Sequence, residues 1–270
     1  MFDYSEIRQV TSRDNPLVKQ YIKLRDQKKY RIELGLFVLE GARLISDAIS
    51  EGLRIEYAFV TEQAANKYPD TVAGLMKASI IGTYLIPSSL GDVLSATQGS
   101  QGLYCCAHTL DKISAADKMN TVGKYLVLDN LQDPGNIGTI IRAADAVGID
   151  GIFLCGCCDI YNPKTVRSTM GSMFRVPLVD DMDYESVISL LHACGIMTFA
   201  SVVDADARDI RRVHFSGGSA VVIGNEGNGL TERDASLCDQ KITIKMKGNI
   251  NSLNAASAAS IILWEMTDEE

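Results

Sequence analysis

The second half of the chain is marked by short apolar runs: YLVLD, GIFLC, RVPLV, IMTFAS, AVVIG and KITIK, between Lys124 and Lys245. They are apolar at nearly every position instead of at alternate ones, the pattern of strands buried on both faces. Segments of helical period separate them, so a mostly parallel sheet covered by helices on both sides is expected. Pro134 and Gly135 start the first of these helices. Its expected inner face is Ile137, Ile140, Ile141, Ala144 and Val147, with Arg142 placed among them. The last helix, over NAASAASII, is small and apolar on nearly every side.

Residues 1–108 repeat the alternation on a smaller scale. A long helix over Asn15–Leu34 precedes the strand LFVLE and the helix GARLISDAISEG. The strand YAFV, a helix near 62–78, the strand TYLI, a helix over Ser88–Ala96 and the strand GLYCCA follow. This is a small α/β domain. The polar stretch 109–123 lacks a clean period and is the expected linker, which leaves 124–270 as the second domain.

Three polar, glycine-bearing junctions follow strands in that second domain. DNLQDPGNIGTIIR carries Asn136, Gly138 and Arg142; IGNEGNGL carries Gly224, Glu226, Gly229 and Leu230; SLNAAS carries Ser252, Leu253 and Asn254. Junctions of this kind, at the carboxyl ends of strands, build the ligand sites of α/β enzymes. A guanidinium among apolar residues calls for a phosphate or carboxylate partner, which singles out Arg142. A further stretch, CDIYNPKTVRSTMGSMFRVP, sets Lys164 and Arg167 three residues apart on one helical face after Asn162, with Asp159 a candidate cap. No G-x-G-x-x-G follows the first strand of the domain, so a Rossmann-type nucleotide pocket is not indicated.

Composition adds limits. With 46% hydrophobic and 22% charged residues among 270, the chain is of the globular class. No run approaches the roughly 18 apolar residues of a membrane span. MFDYSEIRQV lacks the basic flank and apolar core of a signal peptide, so a cytoplasmic location is expected. The seven cysteines include Cys155, Cys157 and Cys158, but no second C-x-x-C completes a zinc site and an odd total does not suit a disulfide framework. No metal is expected. Lys plus Arg at 26 against Asp plus Glu at 34 gives a net charge of −8, which runs against phosphate binding by the chain as a whole. The stretch Arg8–Arg31 is the exception, with eight basic residues against Asp14 and Asp26. Lys19, Lys23, Arg25 and Lys28 form either a solvated helix face or a contact to an RNA backbone.

Together the junctions resemble the motifs of the SpoU (TrmH-type) RNA ribose 2′-O-methyltransferases of the SPOUT superfamily. N-x-G-x-x-x-R is met by Asn136, Gly138 and Arg142; G-x-E-x-x-G-[LM] by Gly224, Glu226, Gly229 and Leu230; S-L-N by Ser252, Leu253 and Asn254. The NPK stretch is similar to the family's D-x-x-N-P-K-x-x-R-x-[SA]-x-G. The resemblance implies an α/β SPOUT domain with a trefoil knot, preceded by a substrate-binding α/β domain similar to the small ribosomal proteins that bind kinked RNA. It also implies a homodimer, with no membrane, that transfers methyl from S-adenosyl-L-methionine to a ribose 2′-hydroxyl, in 23S rRNA by preference.

On the same basis Gly224, Ile244 and Leu253 match cofactor contacts, with Gly224 admitting the ligand to the backbone. Plain core packing is the other reading of Ile244 and Leu253. Arg142, Asn136, Glu226, Ser252 and Asn254 are the implied catalytic group, and Lys19, Lys23, Arg25, Lys28, Lys164 and Arg167 the RNA contacts. Of Ser252 and Asn254, one is expected to cap the last helix while the other faces the site. Arginine titrates above about 12 and lowering it to neutrality costs roughly 7 kcal/mol, so Arg142 is expected to grip the 3′-phosphate and stabilise the developing alkoxide instead of acting as a base. Its other reading is an ion pair with Glu226 that serves the fold. Three alternatives stand beside the rRNA enzyme: a tRNA ribose methyltransferase, a catalytically silent RNA-binding or ribosome-assembly protein, and a nucleotide-binding enzyme unconnected with RNA, which leaves the basic stretch unexplained.

Overall fold

A computed structural model describes residues 7–110, 119–180, 182–248 and 250–267. Two compact units make up the chain, Met1–Asp111 with Tyr161–Phe174 and Lys112–Ile160 with Arg175–Glu270. Residues 111–118 of the expected linker lie outside the described residues.

In the first unit the elements are β1 (Arg8–Gln9), α1 (Pro16–Asp26), α2 (Lys28–Leu34), β2 (Leu36–Glu40), α3 (Ala42–Ser50), β3 (Ile55–Thr61), α4 (Glu62–Lys67), α5 (Pro69–Ala78), β4 (Ser79–Ile86), α6 (Ser88–Leu94) and β5 (Leu103–His108). The sheet runs β1-β4-β3-β5-β2, with β5 antiparallel to β3 and β2. The expected long helix over 15–34 is two helices, because Gln27 is extended (φ −124°, ψ 110°). Arg31, 3% exposed, turns back to donate to Leu24 O at 2.5 Å and Arg25 O at 3.1 Å, supplying partners to carbonyls that the ended helix leaves open. The expected helix near 62–78 is likewise two, since Pro69 drives Tyr68 out of helical conformation and starts α5 itself. The core of the unit is aromatic. Tyr21 meets Phe59 and Tyr104 edge-on at 6.2 and 6.1 Å between ring centroids, the arrangement that ring quadrupoles favour.

The second unit contributes β6 (Lys124–Asp129), α7 (Pro134–Val147) and β7 (Gly151–Cys155). The chain then gives α8 (Pro163–Ser168) to the first unit before continuing with β8 (Leu178–Val179), α9 (Tyr184–Ala193), β9 (Met197–Ser201), β10 (Arg208–Asp209), β11 (Ser219–Ile223), α10 (Glu232–Ser236), β12 (Gln240–Thr243) and α11 (Ala255–Thr267). The expected boundary at 124 divides the chain by sequence, whereas 161–174 packs with the first unit: the Tyr161 ring lies 5.0 Å from Phe37, its hydroxyl accepts from Leu110 N at 3.1 Å, and α8 packs on β2. β1 and β10 are too short to show a period in sequence. β8 is shorter than RVPLV because Pro177 has no N–H to give a ladder.

All seven strands of the second sheet are parallel, in the order β10-β12-β9-β11-β6-β7-β8. From β6 the chain moves to β7 and β8 on one side, while β11 pairs on the other with Ile223 opposite Leu128. Strand order thus reverses between β6 and β11, the point at which parallel sheets open a crevice beyond their carboxyl ends. α9 covers one face through Val187, Ile188 and Leu191 against Tyr125, Val127 and Val222. α7 packs on α11. In α7, Ile137, Ile140, Ile141 and Ala144 are fully buried. α11 is not enclosed on all sides, as its sequence suggested: Trp264 is 63% exposed in the single chain. Among the described residues no helix is long and apolar enough to cross a membrane.

Candidate active site

The three junctions read from the sequence meet at the switch point. Asp133 caps α7 and accepts from Asn136 N at 2.9 Å. The Glu226 carboxylate, from the loop after β11, sits over the same helix start and accepts from Asp133 N at 2.9 Å, from Gln132 N at 3.2 and 3.1 Å, and from Asn136 Nδ2 at 3.2 Å. Asn136 Oδ1 in turn accepts from Asn254 Nδ2 at 2.9 Å. Asn254 Oδ1 accepts from Ala256 N and Ser257 N at 2.9 and 3.2 Å and so caps α11. One continuous hydrogen-bonded path therefore joins the loops of β6, β11 and α11.

Electrostatics favours this placement. A carboxylate at a helix start meets unpaired N–H groups and the positive end of the helix dipole. Partial burial pushes the Glu226 carboxyl upward, but the hydrogen bonds from Asp133 N, its own N–H, Gln132 N and Asn136 outweigh it and hold the group below its ordinary range. Glu226 is an anion committed as an acceptor, which suits positioning and not proton removal.

The loops are tied down around it. Asn130, in the left-handed region at φ 55°, donates its N–H to Cys155 O and accepts at its carbonyl from Asn225 Nδ2, each at 2.8 Å. Asn225 Oδ1 accepts from Gly227 N at 2.9 Å, and Gly229 N returns to Asn225 O at 2.9 Å. Gly224 is required by this turn: a Cβ there would lie 2.4 Å from Gly229 C and 2.5 Å from Leu230 N. The space on the Cβ side of Gly224 is therefore taken by its own loop.

Arg142 is exposed on α7 and, among the described residues, has neither ion pair nor hydrogen bond. It does not belong to the apolar face, and Glu226 is not its partner. At about 100° per residue it stands about 140° from Ile137, outside the stripe that Ile140, Ile141 and Ala144 continue. Ser252 is exposed and leaves the capping of α11 to Asn254. Asn162, not Asp159, caps α8. The sequence reading missed Gln132, Asp133, Asn130 and Asn225. An Asp directly before a Pro that opens a helix is a cap signal that would have found Asp133.

Ile244 and Leu253 are half-buried. Ile244 lines an open hollow of about 380 Å³ with Val203, Met246 and Ile250, beyond the carboxyl ends of β9 and β12, and Asp204 and Asn251 stand at its edge. Gly224 and Leu253 are not in the lining of that hollow. Val203 is 73% and Ile250 60% exposed, an apolar wall without a cover. Its size and mixed lining fit a nucleoside-sized ligand such as S-adenosylmethionine.

All six expected RNA-binding cations fall in the first unit, Lys164 and Arg167 included. Lys19 pairs with Asp14 at 2.7 Å, Lys23 lies 5.4 Å from the Tyr30 ring centroid, and Lys28 and Lys164 are exposed. Arg25 is corrected to a structural role. Its Nη1 donates to Val93, Leu94 and Ser95 carbonyls at 2.7, 3.3 and 3.2 Å, closing the end of α6, and its other nitrogens grip Asp26. Arg167 is half-buried beside Tyr21, Arg25 and Glu40, with Nη1 out of reach of solvent.

A parallel α/β sheet with three polar loops converging at its switch point defines an enzyme of the nucleotide-ligand type. Comparison with known proteins gives the family. The SpoU rRNA Methylase family matches residues 123–264 and the MRM3-like substrate binding domain matches 15–105; the chain belongs to the SpoU rRNA Methylase family. It is 31% identical over 263 residues to an uncharacterised tRNA/rRNA methyltransferase of Synechocystis, covering 97% of this chain and 94% of that one. It is 29% identical over 262 residues to the 23S rRNA (guanosine-2′-O)-methyltransferase RlmP of Bacillus subtilis, covering 96% and 99%. The crystal structure of an AdoMet-bound rRNA methyltransferase from Sinorhizobium meliloti superposes with a TM-score of 0.84 at 30% identity, covering 96% of this chain and 97% of that one.

Proposed function

We propose that this protein methylates a ribose 2′-hydroxyl of 23S rRNA with S-adenosyl-L-methionine as donor. The observation that carries the reading is the hydrogen-bonded path Asn254–Asn136–Glu226, which brings the three motif loops to one point at the start of α7, the helix that also carries the uncommitted cation Arg142. The family match and the rRNA and AdoMet relatives support it.

The donor, when bound, supplies an electrophilic methyl group on a sulfonium. Ile244, Val203 and Met246 would hold its apolar part and Asp204 its polar edge. Glu226 and Asn136 fix the loop that faces the acceptor. Arg142, with no partner to neutralise it, meets a backbone phosphate and stabilises negative charge as the hydroxyl loses its proton to that phosphate or to water. The chain functions as a homodimer: the exposed apolar side of α11, with Ile261 and Trp264, is suited to a second copy. The loop through which α11 passes forms a trefoil knot, and the protein works in the cytoplasm.

The test is transfer of tritiated methyl to 23S rRNA, ribosomal subunits and tRNA prepared from cells that lack the protein. Label in 23S rRNA, recovered as a 2′-O-methylnucleoside and lost with Arg142→Ala, is expected. Label in tRNA alone moves the substrate, and no label in any of them overturns the reading.

A further inference from the structure

We infer that the first unit holds a subsite for one unstacked nucleobase of the RNA, in a polar hollow of about 350 Å³ between the start of α4, the turn before β5 and the start of α6. This rests on the RNA-methylation reading and deepens it.

The walls are built, not incidental. Gly102 (φ +73°) presses the turn against Thr61, whose Oγ1 would lie 2.2 Å from a Cβ there. Thr61 Oγ1 caps α4 through Ala64 N at 3.2 Å, and Thr61 N donates to Gly102 O at 2.9 Å. Ser100 Oγ pairs with Tyr104 OH at 2.6 Å, and Tyr104 OH donates to Gly91 O at 2.9 Å, which ties the turn to α6. Gln101 Oε1 accepts from Ala42 N at 2.7 Å, so the amide is fixed with its two N–H groups left over.

The remaining polar groups have no work inside the protein. Among the described residues Gln63 and Asp92 have no hydrogen bond or ion pair, and Lys67 has only the ring of Tyr68, 5.3 Å from its ammonium. The set is chemically matched to a nucleotide. A half-buried tyrosine ring offers a stacking face, amides and a carboxylate offer edge contacts, and a lysine at the rim offers a phosphate contact. The volume lies near the lower end of the about 300–1,000 Å³ of small-ligand pockets, enough for one splayed nucleotide and too small for a duplex. Asp92 repels phosphate, so the base enters and its phosphate stays at Lys67. A carboxylate only accepts, so Asp92 meets the base through a ring N–H or an exocyclic amino group.

The test uses the full chain and a 23S rRNA transcript. Tyr68→Leu removes the stacking face, the double variant Gln63→Ala, Lys67→Ala removes exposed contacts that the fold does not use, and Asp92→Asn removes the edge charge. A rise of about ten-fold in KM for the transcript is expected for the first two, with kcat and donor affinity unchanged, as loss of one base stack predicts. Ultraviolet crosslinks of the wild-type chain are expected on Tyr68. If the wild type methylates the transcript and the double variant keeps its KM, the subsite is wrong while the function stands. If the wild type transfers no methyl to any RNA, the function reading itself falls.

Discussion

Asn254 donates its side-chain amide to Asn136 Oδ1 at 2.9 Å across 118 residues of chain, while its own Oδ1 caps α11. One residue thus does two separable things. Asn254→Asp keeps an oxygen for the cap and loses the donor to Asn136. Stability within about 0.5 kcal/mol of wild type and a fall in methyl transfer of at least about ten-fold are expected, whereas Asn254→Ala also loses about 1 kcal/mol of capping. Thermal unfolding beside single-turnover rates separates the two, and equal rates in Asn254→Asp and wild type would remove the relay from the mechanism.

Glu226 is held below the ordinary carboxylate range, so its contribution to folding is present above that range and lost as pH falls through the lowered value. Glu226→Gln is therefore expected to be destabilised at pH 7, by an amount that fades as pH falls below the ordinary carboxylate range and the wild-type group takes up a proton. Urea midpoints of both proteins across that window are the check. A pH-independent difference would mean that shape, not charge, is what Glu226 supplies.

Asp129 has the opposite sign. Burial, aided by Asp234 and opposed by the Asn130 amide at 3.0 Å, lifts its carboxyl above the usual range. The charged form disfavours the fold, so stability falls as pH rises through the lifted value. Asp129→Asn is expected to raise Tm by about 2–4 °C at pH 7–8, as about 1 kcal/mol would, and to give no gain below about pH 4. A lower Tm at pH 8 would assign the carboxylate a partner role.

Arg142 is exposed and, among the described residues, unpaired, so Arg142→Ala is expected to leave stability within about 0.5 kcal/mol of wild type. Methyl transfer should drop at least about a hundred-fold, the scale on which one charge-stabilising group acts. Circular dichroism melts and initial rates report both, and a variant that retains the wild-type rate would leave the hydroxyl without its cation.

Arg25 and Lys28 lie three residues apart and should behave differently. Arg25→Ala is expected to cost about 1.5–3 kcal/mol, since charged hydrogen bonds to the end of α6 are lost. Lys28→Ala should leave stability alone and reduce the salt slope of RNA binding by about one. Titrations at several salt concentrations distinguish them.

Much of this was legible in the sequence, and the misreadings have physical causes. The strands of the second unit could be read because doubly buried strands leave continuous apolar runs. Asn136, Glu226 and Asn254 could be chosen because the junctions that carry them resemble the family's motifs. The partners of Glu226 could not be read, because two of them are backbone N–H groups of Gln132 and Asp133 that no side-chain pattern encodes. Arg25 and Arg31 read as a charged surface run, since composition does not disclose which carbonyls need a donor. The helix 15–34 was read as one because Gln27 carries no breaker signal; the break is held by Arg31 from the next helix.

The first unit is discontinuous: Tyr161–Phe174 completes it from beyond β7. Its boundaries therefore cannot be drawn with a single cut. A fragment ended at residue 110 would strip Phe37 of Tyr161 and β2 of α8, and the remaining piece would carry a stranded fourteen-residue excursion. Modularity here is spatial and not serial. Grafting this binding unit whole onto another catalytic body would require a splice of two separate stretches.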